Sequence, residues 1–161
     1  MSEILPPISW DFISQFSFHN PPREVLERSV EMQNKYTTHN RNLKKRGISV
    51  SKYLRSQLFP NGDKDLPYII TTNTFPYNME SGIRHFLIWF NPDLETRNWI
   101  KNSSKVQEII GDYCARENIC RNTCCVYFQN LESMRSVKAI PHIHIFWKKN
   151  KKNKKNKKNE D

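Results

Sequence analysis

The sequence predicts an α+β domain, with N-terminal helices followed by a β-β-α-β-β antiparallel sheet. Helix start and stop signals crowd residues 1–62, whereas runs of β-branched and aromatic residues begin only after Leu66. A single helical pattern interrupts the strands, so the βαβ alternation that builds a parallel sheet is missing.

The elements follow in chain order. Ser9 is placed to cap a short helix carrying Trp10, Phe12, Ile13 and Phe16. Asn20-Pro21-Pro22-Arg23-Glu24 predicts a second start: an Asn cap, Pro in the first turn, then an acid. That helix is expected to run to Arg46 and to close on Gly47, with Thr37-Thr38-His39-Asn40 as a potential interruption. Ser49 opens a third helix, whose Val50, Tyr53, Leu54 and Leu58 form one stripe before the Phe59–Asp63 turn. Strands are expected at 68–72, 85–90, 123–128 and 140–147. The helix between the second and third runs from about Ser103 to Glu117, with Val106, Ile109, Ile110, Tyr113 and Cys114 on its apolar face. An arrangement of this order places the helices on one side of the sheet.

The chain has 161 residues, and residues 148–161 contain no apolar side chain. Nothing there offsets the entropy of ordering the backbone, so this Lys/Asn tail is expected to stay disordered. Residues 1–147 then form one domain, helical over 1–62 and sheet-forming over 66–147. The tail holds eight Lys against Glu160 and Asp161, which is +6 of the formal +10. The folded part is only mildly basic. Lys148–Lys158 offer a weak contact to RNA or another polyanion through counterion release. No run is long and apolar enough for a transmembrane helix, and the N-terminus has no signal-peptide pattern, which points to the cytosol or nucleus. Cys114, Cys120, Cys124 and Cys125 follow no common zinc spacing and are expected to be buried, reduced thiols. Cys124 and Cys125 are placed on opposite faces of a strand.

The chemistry concentrates in Pro141-His142-Ile143-His144-Ile145-Phe146-Trp147. Histidines at i and i+2 on a strand share one face, with Ile143, Ile145 and Trp147 on the other. Neutral imidazoles side by side suit phosphoryl chemistry or a metal, and equally an ordinary hydrogen-bonded core. Two His need a third ligand to hold a metal, so no metal or other cofactor is assigned. P-loop, G-x-S-x-G and H-E-x-x-H patterns are absent.

Upstream of the pair lie Arg84-His85-Phe86-Leu87-Ile88, a strand ending in Asn130, and Ser136-Val137. This order resembles the histidine-triad (HIT-like) superfamily of nucleotide hydrolases and transferases over residues 68–148. The resemblance implies that His144 attacks the α-phosphorus, that His142 is the first His of the triad, and that Asn130 and Ser136 hold ribose and phosphate. His85 is added as a substrate-binding residue. Phe146 replaces the third His, and no Gly-Gln precedes Ser136.

Nearly the whole chain also resembles an uncharacterised family of fungal and giant-virus proteins that includes the N-acetylglucosamine-induced proteins; a viral chain would act in an infected host cell. The residues that carry this are Ile8-Ser9-Trp10-Asp11-Phe12, Asn73-Thr74-Phe75-Pro76-Tyr77, His85–Trp89, Leu131–Val137 and His142-Ile143-His144. Two functions are expected from these readings. One is a nucleotide or nucleotide-sugar site with hydrolase or transferase chemistry at the His-x-His strand. The alternative is a non-catalytic module that binds protein or RNA through a degenerate pocket and the basic tail.

Overall fold

The computed structural model describes residues 4–61 and 64–149. The expected tail therefore lies outside the described residues from Asn150 onward.

Helix α1 (Trp10–Ile13) starts at Ser9, whose hydroxyl accepts the Phe12 N–H at 3.1 Å. The next helix does not start at Asn20. Residues 21–29 form no helix, and α2 spans Val30–Lys45, with the Ser29 hydroxyl accepting the Met32 N–H at 3.2 Å. The double proline explains the shift. Each Pro pushes the residue before it out of the α region, so Asn20 and Pro21 are both held extended. The extended segment is pinned instead by the Asn78 N–H on the Glu27 carbonyl at 2.8 Å and by buried Pro22 and Leu26. Thr37–Asn40 do not interrupt α2. The helix ends in a Schellman motif, with Gly47 at φ +68° and the Ile48 N–H on the Leu43 carbonyl at 3.0 Å. Helix α3 (Val50–Leu58) is capped by Ser49, as its sequence predicts.

Four strands follow: β1 (Tyr68–Thr72), β2 (Ile83–Phe90), β3 (Cys125–Phe128) and β4 (His142–Lys148). Every pairing is antiparallel and the spatial order is β1-β2-β4-β3. This order differs from the one the histidine-triad resemblance implies. What stands of that expectation is an α+β fold with a four-stranded antiparallel sheet. Strand β4 reaches Lys148, one residue into the segment expected to be tail. Between β2 and β3 lie a 3-10 turn (Glu95–Lys101), α4 (Ser103–Arg116) and the four-residue α5 (Arg121–Cys124).

Helices cover both faces of the sheet, not one. The cause is legible in β2 and β4, whose side chains are buried on both sides. One face, with Phe86, Ile88, Phe90, Ile143, Ile145 and Trp147, packs on Ile100 and on the Val106, Ile109, Ile110, Tyr113 stripe of α4. The other carries His85, Leu87, Trp89, His142, His144 and Phe146, because register partners share a face: His85 with Phe146, Leu87 with His144, Trp89 with His142. It is roofed by Ile13, Leu26 and Tyr77 at one end and by Leu54, Leu58 and Phe59 at the other.

The cysteines depart from expectation in two ways. Cys124 ends α5 and does not lie in β3, and Cys120 is exposed, whereas Cys114 and Cys124 are buried. Trp89 and Trp147 are core residues, and Trp147 Nε1–H donates to the Tyr113 hydroxyl at 3.2 Å. Among the described residues no helix is long and apolar enough to cross a membrane.

Candidate functional site

The i, i+2 spacing places His142 and His144 on one face of β4, with Ile143, Ile145 and Trp147 on the other. β2 adds His85 to the histidine face. All three are buried, at 4, 6 and 5% exposure for His85, His142 and His144. His85 Nε2 and His144 Nδ1 lie 2.9 Å apart.

Their partners fix the protons. The Tyr77 N–H and the Asn73 amide nitrogen each lie 3.4 Å from His85 Nδ1, while Asn73 Oδ1 already accepts the Phe75 N–H at 3.0 Å. The Asn73 nitrogen is equally close to Nε2, but the Tyr77 N–H donates to Nδ1 alone, so Nδ1 accepts and the His85 proton sits on Nε2, donated to His144 Nδ1. The His144 proton is then on Nε2, 3.3 Å from the Asn130 amide, which also lies 2.8 Å from the Tyr77 hydroxyl. The Asn130 amide nitrogen faces both groups and donates to the Tyr77 hydroxyl; exchange of the amide N and O, which are alike in shape, gives His144 Nε2–H its acceptor. The chain Tyr77 N–H, His85, His144, Asn130 thus runs in one direction, and the Tyr77 ring stacks on His144 at 5.4 Å.

Neutral imidazoles suit this wiring. Burial, followed by the Arg28 charge, holds His85 down to about 3. Burial first, then His85, His142 and Arg28, holds His144 well below the ordinary value. His142 is lowered by burial, with the Ile140 carbonyl working the other way. Burial raises the Tyr77 hydroxyl.

His142 is wired separately. Its Nδ1 is 2.8 Å from the Ile140 carbonyl and its ring packs on Trp89 at 4.7 Å. A carbonyl can only accept, so the proton is on Nδ1 and Nε2 presents a lone pair. Among the expected residues, His85, His142, His144 and Asn130 come together. Ser136 does not: it is exposed on the β3–β4 connection, and no described hydrogen bond joins it to the cluster.

Several members have no counterpart in the expected set. Tyr77 and Asn73 stand in the Asn73-Thr74-Phe75-Pro76-Tyr77 stretch, whose buried Tyr after a proline turn was the available signal. Arg28 donates to the Phe75 carbonyl at 2.8 Å and lies 4.2 Å from the Tyr36 ring; Arg135 donates to the Asn130 carbonyl at 2.7 Å. Neither has a local sequence signal. The three described cavities take in none of the three clustered histidines. The widest, about 1340 Å³, lies beside the N-terminal segment, among Ile4, Leu5, Phe12, Val25 and Val30. Among the described residues no group of three or more His, Cys, Asp or Glu is placed to hold a metal ion.

Fold and site define an α+β domain with a neutral histidine cluster buried against an antiparallel sheet. The chain belongs to the family described as protein of unknown function (DUF3605), whose model matches residues 9–148. It is similar to N-acetylglucosamine-induced protein 1 of Candida albicans, 24% identical over 88% of this chain and 68% of that protein. A crystal structure of a protein named HTC1 has the same fold, with a TM-score of 0.57 and 18% identity over 89% of this chain and 86% of that one.

Proposed function

We propose that this domain acts on a phosphate ester, as a nucleotide or nucleotide-sugar hydrolase or transferase, with His142 as the attacking group. The observation that supports this is the wiring of His142: Nδ1–H is held on the Ile140 carbonyl, so the imidazole is neutral and its Nε2 lone pair is the reactive one. The resemblance gives that role to His144, but His144 is buried and its two ring nitrogens already face His85 and Asn130, at 2.9 and 3.3 Å. In this reading His142 Nε2 attacks phosphorus, the leaving oxygen departs with its electron pair and takes up a proton, and water then opens the phosphoryl-His bond. His85, His144, Asn130 and Tyr77 are positioning residues that keep the neighbouring face rigid and uncharged. Ser136 takes substrate only after a rearrangement of its loop.

The experiment is a turnover and thermal-shift screen of the full chain against nucleotides, dinucleoside polyphosphates and nucleotide-sugars, with inorganic polyphosphate as the control for tail binding. A ligand at 100 times its dissociation constant stabilises a fold by about 2.7 kcal/mol. Turnover lost in His142→Ala and kept in Ser136→Ala supports the assignment. Turnover unchanged in His142→Ala overturns it.

A second reading is a non-catalytic module for protein or RNA, favoured by the burial of the histidines and by their absence from the lining of the three described cavities. RNA affinity of the full chain should then fall, and its salt dependence flatten, when the lysines of 151–158 are changed to Gln. Unchanged affinity removes the tail from this reading.

A further inference from the structure

The corner where α4, α5 and β3 meet holds all four cysteines, and two of them differ sharply in access. Cys120 is exposed at the start of α5, while Cys124, at its end, is only 4% exposed. One hydroxyl touches both: Thr123 Oγ1 lies 3.0 Å from Cys120 Sγ and 3.5 Å from Cys124 Sγ. The Cys124 N–H on the Cys120 carbonyl, at 2.8 Å, closes a single helical turn between them. Residues one turn apart have Cβ atoms roughly 5–6 Å apart, against about 4 Å in a disulfide. The gap is small, and α5 is four residues long with no side-chain cap, so a slight unwinding closes it.

We infer that Cys120 and Cys124 form a peroxide-oxidisable dithiol, with exposed Cys120 as the reacting thiol and buried Cys124 as the resolving one. The Cys120 sulfur attacks one peroxide oxygen; an S–O bond forms, the O–O bond breaks, and the leaving oxygen takes up the thiol proton. Cys120 becomes a sulfenic acid. The Cys124 sulfur then attacks that sulfur; an S–S bond forms, the S–O bond breaks, and water leaves with the Cys124 proton. The two thiols lose two electrons in all, and the peroxide is the acceptor.

Local electrostatics favour the first step. The Thr123 hydroxyl, then the Thr123 backbone N–H, hold the Cys120 thiol below its ordinary value. In the neighbouring pair one hydrogen bond pushes Cys125 up and holds Cys114 down, but Cys114 is buried, whereas Cys120 is exposed. Accessible thiolate character therefore gathers at Cys120. This assignment is independent of the histidine site.

The test treats the full chain with hydrogen peroxide, counts free thiols and maps cross-linked peptides. Free thiols should fall from four to two, with a Cys120–Cys124 cross-link. In Cys124→Ser a sulfenic-acid trap such as dimedone should label Cys120; in the unaltered chain it should not. Cys120→Ser, an exposed and conservative change, should abolish the fast thiol loss, while Cys114→Ser should leave it intact. Equal thiol loss in Cys120→Ser, or a cross-link between Cys114 and Cys125 in its place, overturns the proposal.

Discussion

His85 and His144 are hydrogen-bonded at 2.9 Å although they are not register partners: His85 sits opposite Phe146, and His144 opposite Leu87. The bond runs diagonally across β2 and β4, under Tyr77. Two imidazoles in an apolar sheet cost desolvation that a hydrophobic pair would not, and only a fully connected chain of partners offsets it.

That coupling should be measurable. His85→Phe and His144→Phe should each destabilise the fold by about 2 kcal/mol, because each leaves the other imidazole short of a partner. The double variant should be less unstable than the two effects added, with a coupling energy of roughly 1–3 kcal/mol by denaturant unfolding. Strict additivity would show that the pair does not act as a unit.

Stability should decline in acid before the carboxylates titrate. The His85 value drops from an ordinary 6.5 unfolded to about 3 folded, and those of His142 and His144 are also lowered. A depressed group gives its full stability above the unfolded value and loses it as pH falls toward the folded one. The decline therefore starts near pH 6.5 and continues to about pH 3 for His85, at about 1 kcal/mol per pH unit. Urea midpoints from pH 8 to 4 check this; a flat profile across that range contradicts it.

The displaced start of α2 has a direct test. Ser29→Ala should cost about 1 kcal/mol by removing the cap on Met32, whereas Asn20→Ala should stay within about 0.5 kcal/mol. A larger loss at Asn20 would restore the earlier start.

At the other end of α2, Gly47 stands at φ +68° with open space where a side chain would be. Gly47→Ala should cost about 1 kcal/mol from backbone conformation alone, read as a lower thermal midpoint.

Burial pushes the Tyr113 hydroxyl up to about 12, and it accepts the Trp147 indole N–H at 3.2 Å. Tyr113→Phe should cost about 1–2 kcal/mol by leaving that donor unpaired in the core. Retained stability would show that another acceptor takes it up.

Much of the fold was legible because its signals are local. Ser9 and Ser49 cap the helices they precede, Gly47 closes α2, and the alternation of His142, Ile143, His144 and Ile145 names its own two faces. The start of α2 lies away from its sequence signal because Asn20-Pro21-Pro22 satisfies that signal locally while the second proline cancels it. The two-sided covering of the sheet follows from continuous apolar runs in β2 and β4, which alternation alone does not reveal.

By itself the sequence determined the α+β class, the strand set and the shared face of His142 and His144, because side-chain period and capping act within a few residues. Only the tertiary structure decided that His85 meets His144, that Tyr77 and Asn130 close the chain, and that Ser136 stands apart. Those contacts join residues up to 59 positions apart. Their partners, and hence their protons and charges, depend on strand order and burial, which no short stretch of sequence encodes.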